Sequence, residues 1–287
     1  MTRQYQQVTD RIISMLEKGV RPWSQSWNAH ARGGRPLRHD GTPYRGANVL
    51  NLWAAGMARG FTSPYWLTYK KAQEMGAQVK RGAKSELAFF VGTVKRTEER
   101  DGEDVERTIS FLKAYNVFNA SEVEGLGARY YAPAECPVLD EANRILEVDR
   151  FMAATGAKIH HGGGRAFYRR DTDEVYMPEF GSFDSASAYY GTALHVLTHW
   201  TGAEKRLDRT FGKLFGDPDY AFEELVAELG AAYLSADLRI NAEPREDHAS
   251  YISGWLKALR DDNRNIFRAA AYAERAAGYL HGLQSVA

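Results

Sequence analysis

The sequence predicts an α+β chain organised as two domains, and three observations lead there. Its 287 residues exceed the usual size of one domain. Its charge is split: residues 1–96 carry 16 Lys and Arg against 5 Asp and Glu, and the remainder carries 21 against 32, so a basic half of net +11 precedes an acidic half of net −11. Its hydrophobic period changes from helical spacing to β-rich runs in the first half, and does so again, around a smaller β-rich stretch, in the second. With 44% hydrophobic and 26% charged residues the composition is that of a folded protein, and no apolar run has membrane-spanning length. Cys136, the single cysteine, cannot form an internal disulfide, and residues 1–16 lack the apolar core of a signal peptide, so the reducing cytoplasm is the expected location.

Between Gln4 and Leu16, the residues Val8, Ile12, Ile13 and Leu16 recur at helical spacing and predict an amphipathic opening helix. A stretch punctuated by Pro22, Gly33, Gly34, Pro36, Gly41 and Pro43 reads as ordered loop. Asn48–Met57 and Thr68–Met75 predict two short helices, the second capped by Thr68. Glu86–Lys95 and Val105–Asn119 are rich in β-branched and aromatic residues, and the polar run Glu98–Asp104 between them predicts a hairpin tip. The Gly- and Pro-bearing stretch that follows holds the expected linker, 126–139, between domains at 1–125 and 140–287. The second half predicts a helix to Ala154, a strand near Lys158–His161, and a hairpin formed by Arg165–Arg170 and Glu174–Met177 about Asp171–Asp173. Helices are expected near 185–202, 219–239, 246–260 and 263–282.

The strongest chemical signal lies in the first of those last helices. His195 and His199 are four residues apart, so both imidazoles project from one face and can reach one ion. A third ligand is available 25 residues further on, in Glu223-Glu224-Leu225-Val226-Ala227-Glu228. Glu224 is the candidate ligand, and Glu228, one turn later, is placed to accept a hydrogen bond from the distal nitrogen of a ligand histidine. Two histidines and a carboxylate suit zinc, and accept other first-row divalent ions. His160 and His161 rank below Glu224, and Tyr189 and Tyr190 are expected to pack. A peptidase of this kind carries glutamate directly after the first histidine, to take a proton from the attacking water and pass it to the leaving amine. Here that position is Val196, whose alkyl side chain can do neither.

Several stretches together resemble one known family. Tyr189-Tyr190-Gly191-Thr192 through His195, then His199-Trp200-Thr201-Gly202 and Arg206-Leu207-Asp208-Arg209, resemble the metallopeptidase domain of ArdC-type antirestriction proteins. Arg165-Ala166-Phe167-Tyr168 and Val175-Tyr176-Met177-Pro178 are similar to its hairpin, and Glu223–Glu228 to its downstream ligand helix. The likeness continues through Pro22-Trp23, Tyr44-Arg45-Gly46-Ala47-Asn48, Lys80-Arg81-Gly82 and Val117-Phe118-Asn119. It implies a zincin-like second domain with zinc at His195, His199 and Glu224, a first domain that binds single-stranded DNA, and protection of incoming conjugative DNA from host restriction. Val196 departs from the family pattern, which implies a peptidase that has lost its base.

The basic half supports single-strand binding on its own terms, because its sixteen cations come with eleven aromatic residues. Cations track phosphates, and exposed rings stack on unpaired bases. Trp23, Trp27, Tyr44 and Trp66 lie in or near Gly/Pro loops beside Arg or Lys, where stacking on bases and packing inward are both open. Trp53, Phe89 and Phe90 lie in apolar runs and are expected in the core. Arg32, Arg35, Arg38, Arg45, Lys70, Lys71, Lys80, Arg81 and Lys84 are the candidate phosphate contacts. No motif for reading duplex sequence occurs, so binding should be non-specific. Two other functions fit the same residues: a DNA-recruited zinc protease acting on a protein substrate, and a decoy whose acidic half occupies host restriction enzymes.

Overall fold

In a computed structural model, residues 2–23, 34–100, 103–131, 141–212, 217–240 and 248–286 are described. Trp27, Arg32 and Cys136 lie outside them. Helix α1 (Thr2–Glu17) buries Val8, Ile12 and Leu16, the face its spacing predicts. Helix α2 (Ala47–Arg59) buries a continuous run from Asn48 to Ala55. A two-residue strand, β1 (Trp66–Leu67), precedes α3 (Tyr69–Glu74), whose cap is Thr68: its hydroxyl accepts from Lys71 N at 3.1 Å.

After β2 (Gln78–Val79) come β3 (Glu86–Arg100) and β4 (Glu103–Asn119), an antiparallel pair in unbroken register from Glu86 opposite Val117 to Arg100 opposite Glu103. The strands thus extend into the polar stretch expected at the hairpin tip, up to Arg100 and again from Glu103. Side-chain polarity marks where burial ends, whereas the ladder is held by backbone bonds that polar residues make equally well. Strand β1 pairs with β4, and β2 pairs with β5 (Val123–Glu124). These two-residue strands are too short to leave a periodicity in the sequence. The base of the hairpin is clamped to α2 by Asn48, whose amide donates to Phe89 O at 2.8 Å while its carbonyl accepts from Phe89 N at 2.7 Å.

The second half opens with α4 (Glu141–Ala154) and a sheet of order β6–β8–β7, in which β6 (Lys158–His161) runs parallel to β8 (Glu174–Met177) and β7 (Phe167–Arg169) antiparallel to it. Four helices follow: α5 (Ala186–Trp200), α6 (Pro218–Asp237), α7 (His248–Asp261) and α8 (Asn265–Gly282). Ser185 caps α5 by accepting from Ala188 N, and Asp217 with Pro218 starts α6. Among the described residues no helix is long and apolar enough to cross a membrane.

The two halves share one hydrophobic core, which runs from Ile12, Trp23, Tyr44 and Trp53 into Leu194, Leu197, Leu225, Tyr233 and Ala273. Trp23 meets Trp255 edge-on with ring centres 5.9 Å apart. Tyr233 donates to Gly46 O at 3.0 Å, and Gly46 N donates to Glu274. A smaller cluster gathers Leu67, Ala72, Ala77, Ala120, Val123, Leu126 and Tyr130. Within the expected linker, Leu126 and Tyr130 therefore pack, and residues 132–140 lie outside the described set.

Candidate functional site

Helices α5 and α6 approach closely because α6 carries glycine where they touch. A Cβ at Gly230 would lie 2.5 Å from Thr198 Cγ2 and 2.7 Å from Thr198 Oγ1. Thr198 is fully buried beside His199, so this close approach sets how near the α6 carboxylates come to the α5 histidines.

Three ligand residues converge there, with one donor atom from each lying within 4.8 Å of the others. His195 Nε2 and His199 Nε2 are 3.1 Å apart; Glu224 Oε2 is 3.4 Å from the first and Glu224 Oε1 3.4 Å from the second. A tetrahedral ion with bonds of about 2.0–2.1 Å spaces its ligands by roughly 3.3 Å, so the donor set fits a first-row divalent metal in both chemistry and spacing. His160 and His161 turn elsewhere: His160 Nε2 lies 3.5 Å from Glu174, and His161 Nε2 lies 2.8 Å from the Tyr189 hydroxyl. Tyr189 and Tyr190 are buried, as packing requires.

Behind the ligands stands a set of charges that orients them. His199 Nδ1 is 3.1 Å from Glu223 Oε1, and Glu223 is held from the other side by Arg209, Nε to Oε2 at 3.0 Å and Nη2 to Oε1 at 2.8 Å. Arg209 also donates to Thr201 Oγ1 and Thr198 O, which ties it to the end of α5. Glu228 lies near His195, its Oε2 3.7 Å from Nδ1, which is beyond the hydrogen bond expected there. Trp23 Nε1 donates to the other oxygen of Glu228 at 3.3 Å, so the first half reaches the second layer of the site. The roles of Glu223 and Arg209 were not assigned from the sequence, although both lie in the stretches that carry the family resemblance.

Burial opposes charge on His199, but Glu224 and Glu223 outweigh it and push its pKa up to about 9. Burial alone would raise Glu224, yet the two histidines hold it well below the usual carboxylate range. Glu223 is lowered as well, its burial outweighed by His199 and Arg209.

The ligands open on a cleft of about 1160 Å³, walled by α5, the edge strand β7 and the aromatic side chains Phe183, Phe211, Tyr220 and Tyr251. Val196 lines this cleft and is 1% exposed. The position next to the first histidine thus faces the site, and it offers no group able to take or give a proton.

In the first half the structure separates the predicted contacts. Trp23, Tyr44 and Trp66 are 1%, 2% and 3% exposed, so they pack and offer no face to a base. Arg35 is likewise structural: it makes a two-pronged pair with Asp237 (2.7 and 2.8 Å) and bonds Glu274 at 2.6 Å, above the Tyr233 ring. Loop residues near glycine and proline read as surface, but this loop turns inward onto α6 and α8. Arg38, Arg45, Lys70, Lys80, Arg81 and Lys84 are exposed, while Lys71 is half-buried and paired with Glu74 at 2.7 Å. Trp53 and Phe89 are in the core as expected, whereas Phe90 is 51% exposed, because the alternation of β3 sends it to the opposite face from Phe89.

Two family models match: "N-terminal domain of anti-restriction factor ArdC" over residues 2–118 and "Zincin-like metallopeptidase" over residues 146–272. The antirestriction protein ArdC of plasmid R388 has been solved metal-free and with Mn(II). The metal-free form is 42% identical, with a TM-score of 0.81 over 98% of this chain and 97% of that one. The Mn(II)-bound form is 40% identical, with the same TM-score, over 98% of each. The chain belongs to the ArdC antirestriction family. An uncharacterized protein of Sinorhizobium fredii, y4eC, is 41% identical over 98% of this chain and 92% of its own length. The DNA primase TraC of Escherichia coli is 39% identical over 94% of this chain, which spans only 26% of that longer protein. ArdC-like sequence thus also occurs within a larger DNA-processing protein.

Proposed function

We propose that this ArdC-family chain protects incoming conjugative DNA from restriction by binding it as a single strand, without sequence preference, in the recipient cytoplasm. Binding is assigned to the half formed by residues 1–125, and metal binding to the half formed by residues 140–287. End-to-end likeness to the R388 antirestriction protein is the observation that carries the reading. The net charge of +11 over residues 1–96 and the exposed cations Arg38, Arg45, Lys70, Lys80, Arg81 and Lys84 support a phosphate-tracking surface.

His195, His199 and Glu224 would hold a divalent ion, a site that zinc suits by its ligand preference; the R388 relative has been solved with Mn(II) bound. Such an ion supplies Lewis acidity toward an oxygen. This chain's own residues orient the site through Glu223, held by Arg209, but Val196 cannot itself move the proton that peptide hydrolysis requires. The metal half therefore acts here as a metal-stabilised scaffold.

Transfer of an unmodified plasmid into a restricting recipient tests the proposal. More transconjugants when the protein is present are expected, and equal numbers with and without it would contradict the reading.

A further inference from the structure

The β3–β4 hairpin carries an apolar surface that the core does not use. Phe90, Val94 and Phe111 are 51%, 50% and 41% exposed. The register sets Phe90 opposite Lys113 and Gly92 opposite Phe111, so both rings lie on one face of the ladder. The two rings lean together over Gly92, where a Cβ would lie 2.5 Å from Phe111 Cζ and 2.8 Å from Phe90 Cε1. Their centres are 6.2 Å apart and their planes are inclined by 58°, so the rings are not stacked on each other. Leaving two phenylalanines in water on a strand pair is unfavourable unless a partner covers them.

Charge indicates which partner. Lys113, directly across from Phe90 in the ladder, is exposed. A pair of exposed rings beside an exposed lysine matches unstacked bases and their phosphates, because every base has a face to stack and the backbone supplies the countercharge.

The geometry points to Phe90 and Phe111 as the base-stacking platform for single-stranded DNA, with Gly92 as the floor that lets the rings lie over the strand and Lys113 as the adjoining phosphate contact. This rests on the single-strand reading above and locates it on a part of the surface that the loop tryptophans do not provide.

The test is binding of the full-length protein to a fluorescent oligo-dT at moderate salt. Phe111→Ala or Phe90→Ala should each weaken binding by about 5- to 150-fold, the range expected for loss of one base–ring stack. Gly92→Ala should weaken it less, by displacing the rings without removing them. Phe111→Trp should retain binding and add tryptophan emission that the oligonucleotide quenches. Unchanged melting temperatures in the alanine variants, whose side chains are largely in solvent, would exclude loss of folding.

If wild type binds oligo-dT and the double alanine variant binds equally well, the platform is wrong and the single-strand reading stands. If wild type does not bind single strands, both are wrong. Loss of self-association in the double variant, with DNA binding unchanged, would make the patch an interface between copies of this chain and would also overturn the proposal.

Discussion

At the α5–α6 crossing the charges are buried and matched, His199 to Glu223 to Arg209 and His195 to Glu224. On the surface of the first half, Arg38, Arg45, Lys80, Arg81 and Lys84 stand in solvent. The same residue types therefore do different work. A buried arginine such as Arg209 fixes geometry, and removing it strands a carboxylate. An exposed lysine contributes little to the fold and is available to a polyanion. Arg35 makes the distinction sharp, because it belongs to the basic half by sequence and to the buried class by environment, 6% exposed against 78% for Arg45.

The largest effect that would sharpen this contrast is chemical. Val196→Glu restores a carboxylate at the cleft wall and should raise peptide hydrolysis by about 10²- to 10⁴-fold over the chain as it stands, read on an unstructured protein substrate. DNA binding should be unchanged, and no gain in hydrolysis in a metal-loaded, folded variant would break the view that only the base is missing. Next in size is Arg209→Met, which leaves Glu223, at 4% exposure, without its main partner. About 3–5 kcal/mol of stability should be lost in denaturant unfolding. Glu223→Gln keeps the shape but weakens the hold on His199, and should lower metal affinity by about 10- to 100-fold with little change in DNA affinity. The smallest effects belong to the surface: Lys80→Ala and Arg81→Ala should each leave the melting temperature unchanged. Each should also reduce the slope of log affinity against log salt by about 0.7 for every phosphate that the native side chain neutralises.

The two regions also differed in how far they could be read from the sequence. Helix periodicity fixes which side chains share a face, so His195, His199, Glu224 and Glu228 were legible from spacing alone, and the structure brings all four together. Glu223 escaped because it sits next to the ligand rather than one turn away; it contacts His199 directly and is held there by Arg209 from the loop after α5. Most helices, and the β6–β8–β7 sheet, fell close to where periodicity set them. The two-residue strands β1, β2 and β5 did not, because pairing over so short a span depends on tertiary neighbours.

Composition proved a weaker guide in the first half. Trp23, Tyr44 and Trp66 lie in or near Gly/Pro-bearing stretches, yet Trp23 packs on Trp255 of α7, Trp66 sits in β1 against Phe61, and all three are buried. Phe90 lies in an apolar run and is nevertheless exposed, since a strand delivers alternate residues to opposite faces and only Phe89 meets Phe267 and the core. Exposure is a property of the assembled fold, and a count of rings and cations does not contain it.

The measurement that bears most directly on this account is the affinity of the full-length protein for a single strand and for its duplex, at matched sequence, over a salt series. Clear preference for the single strand, falling steeply as salt rises and reduced by Lys80→Ala and Arg81→Ala, is the predicted result. Equal or absent binding to both forms at low salt would contradict it and remove the first half from the role assigned to it.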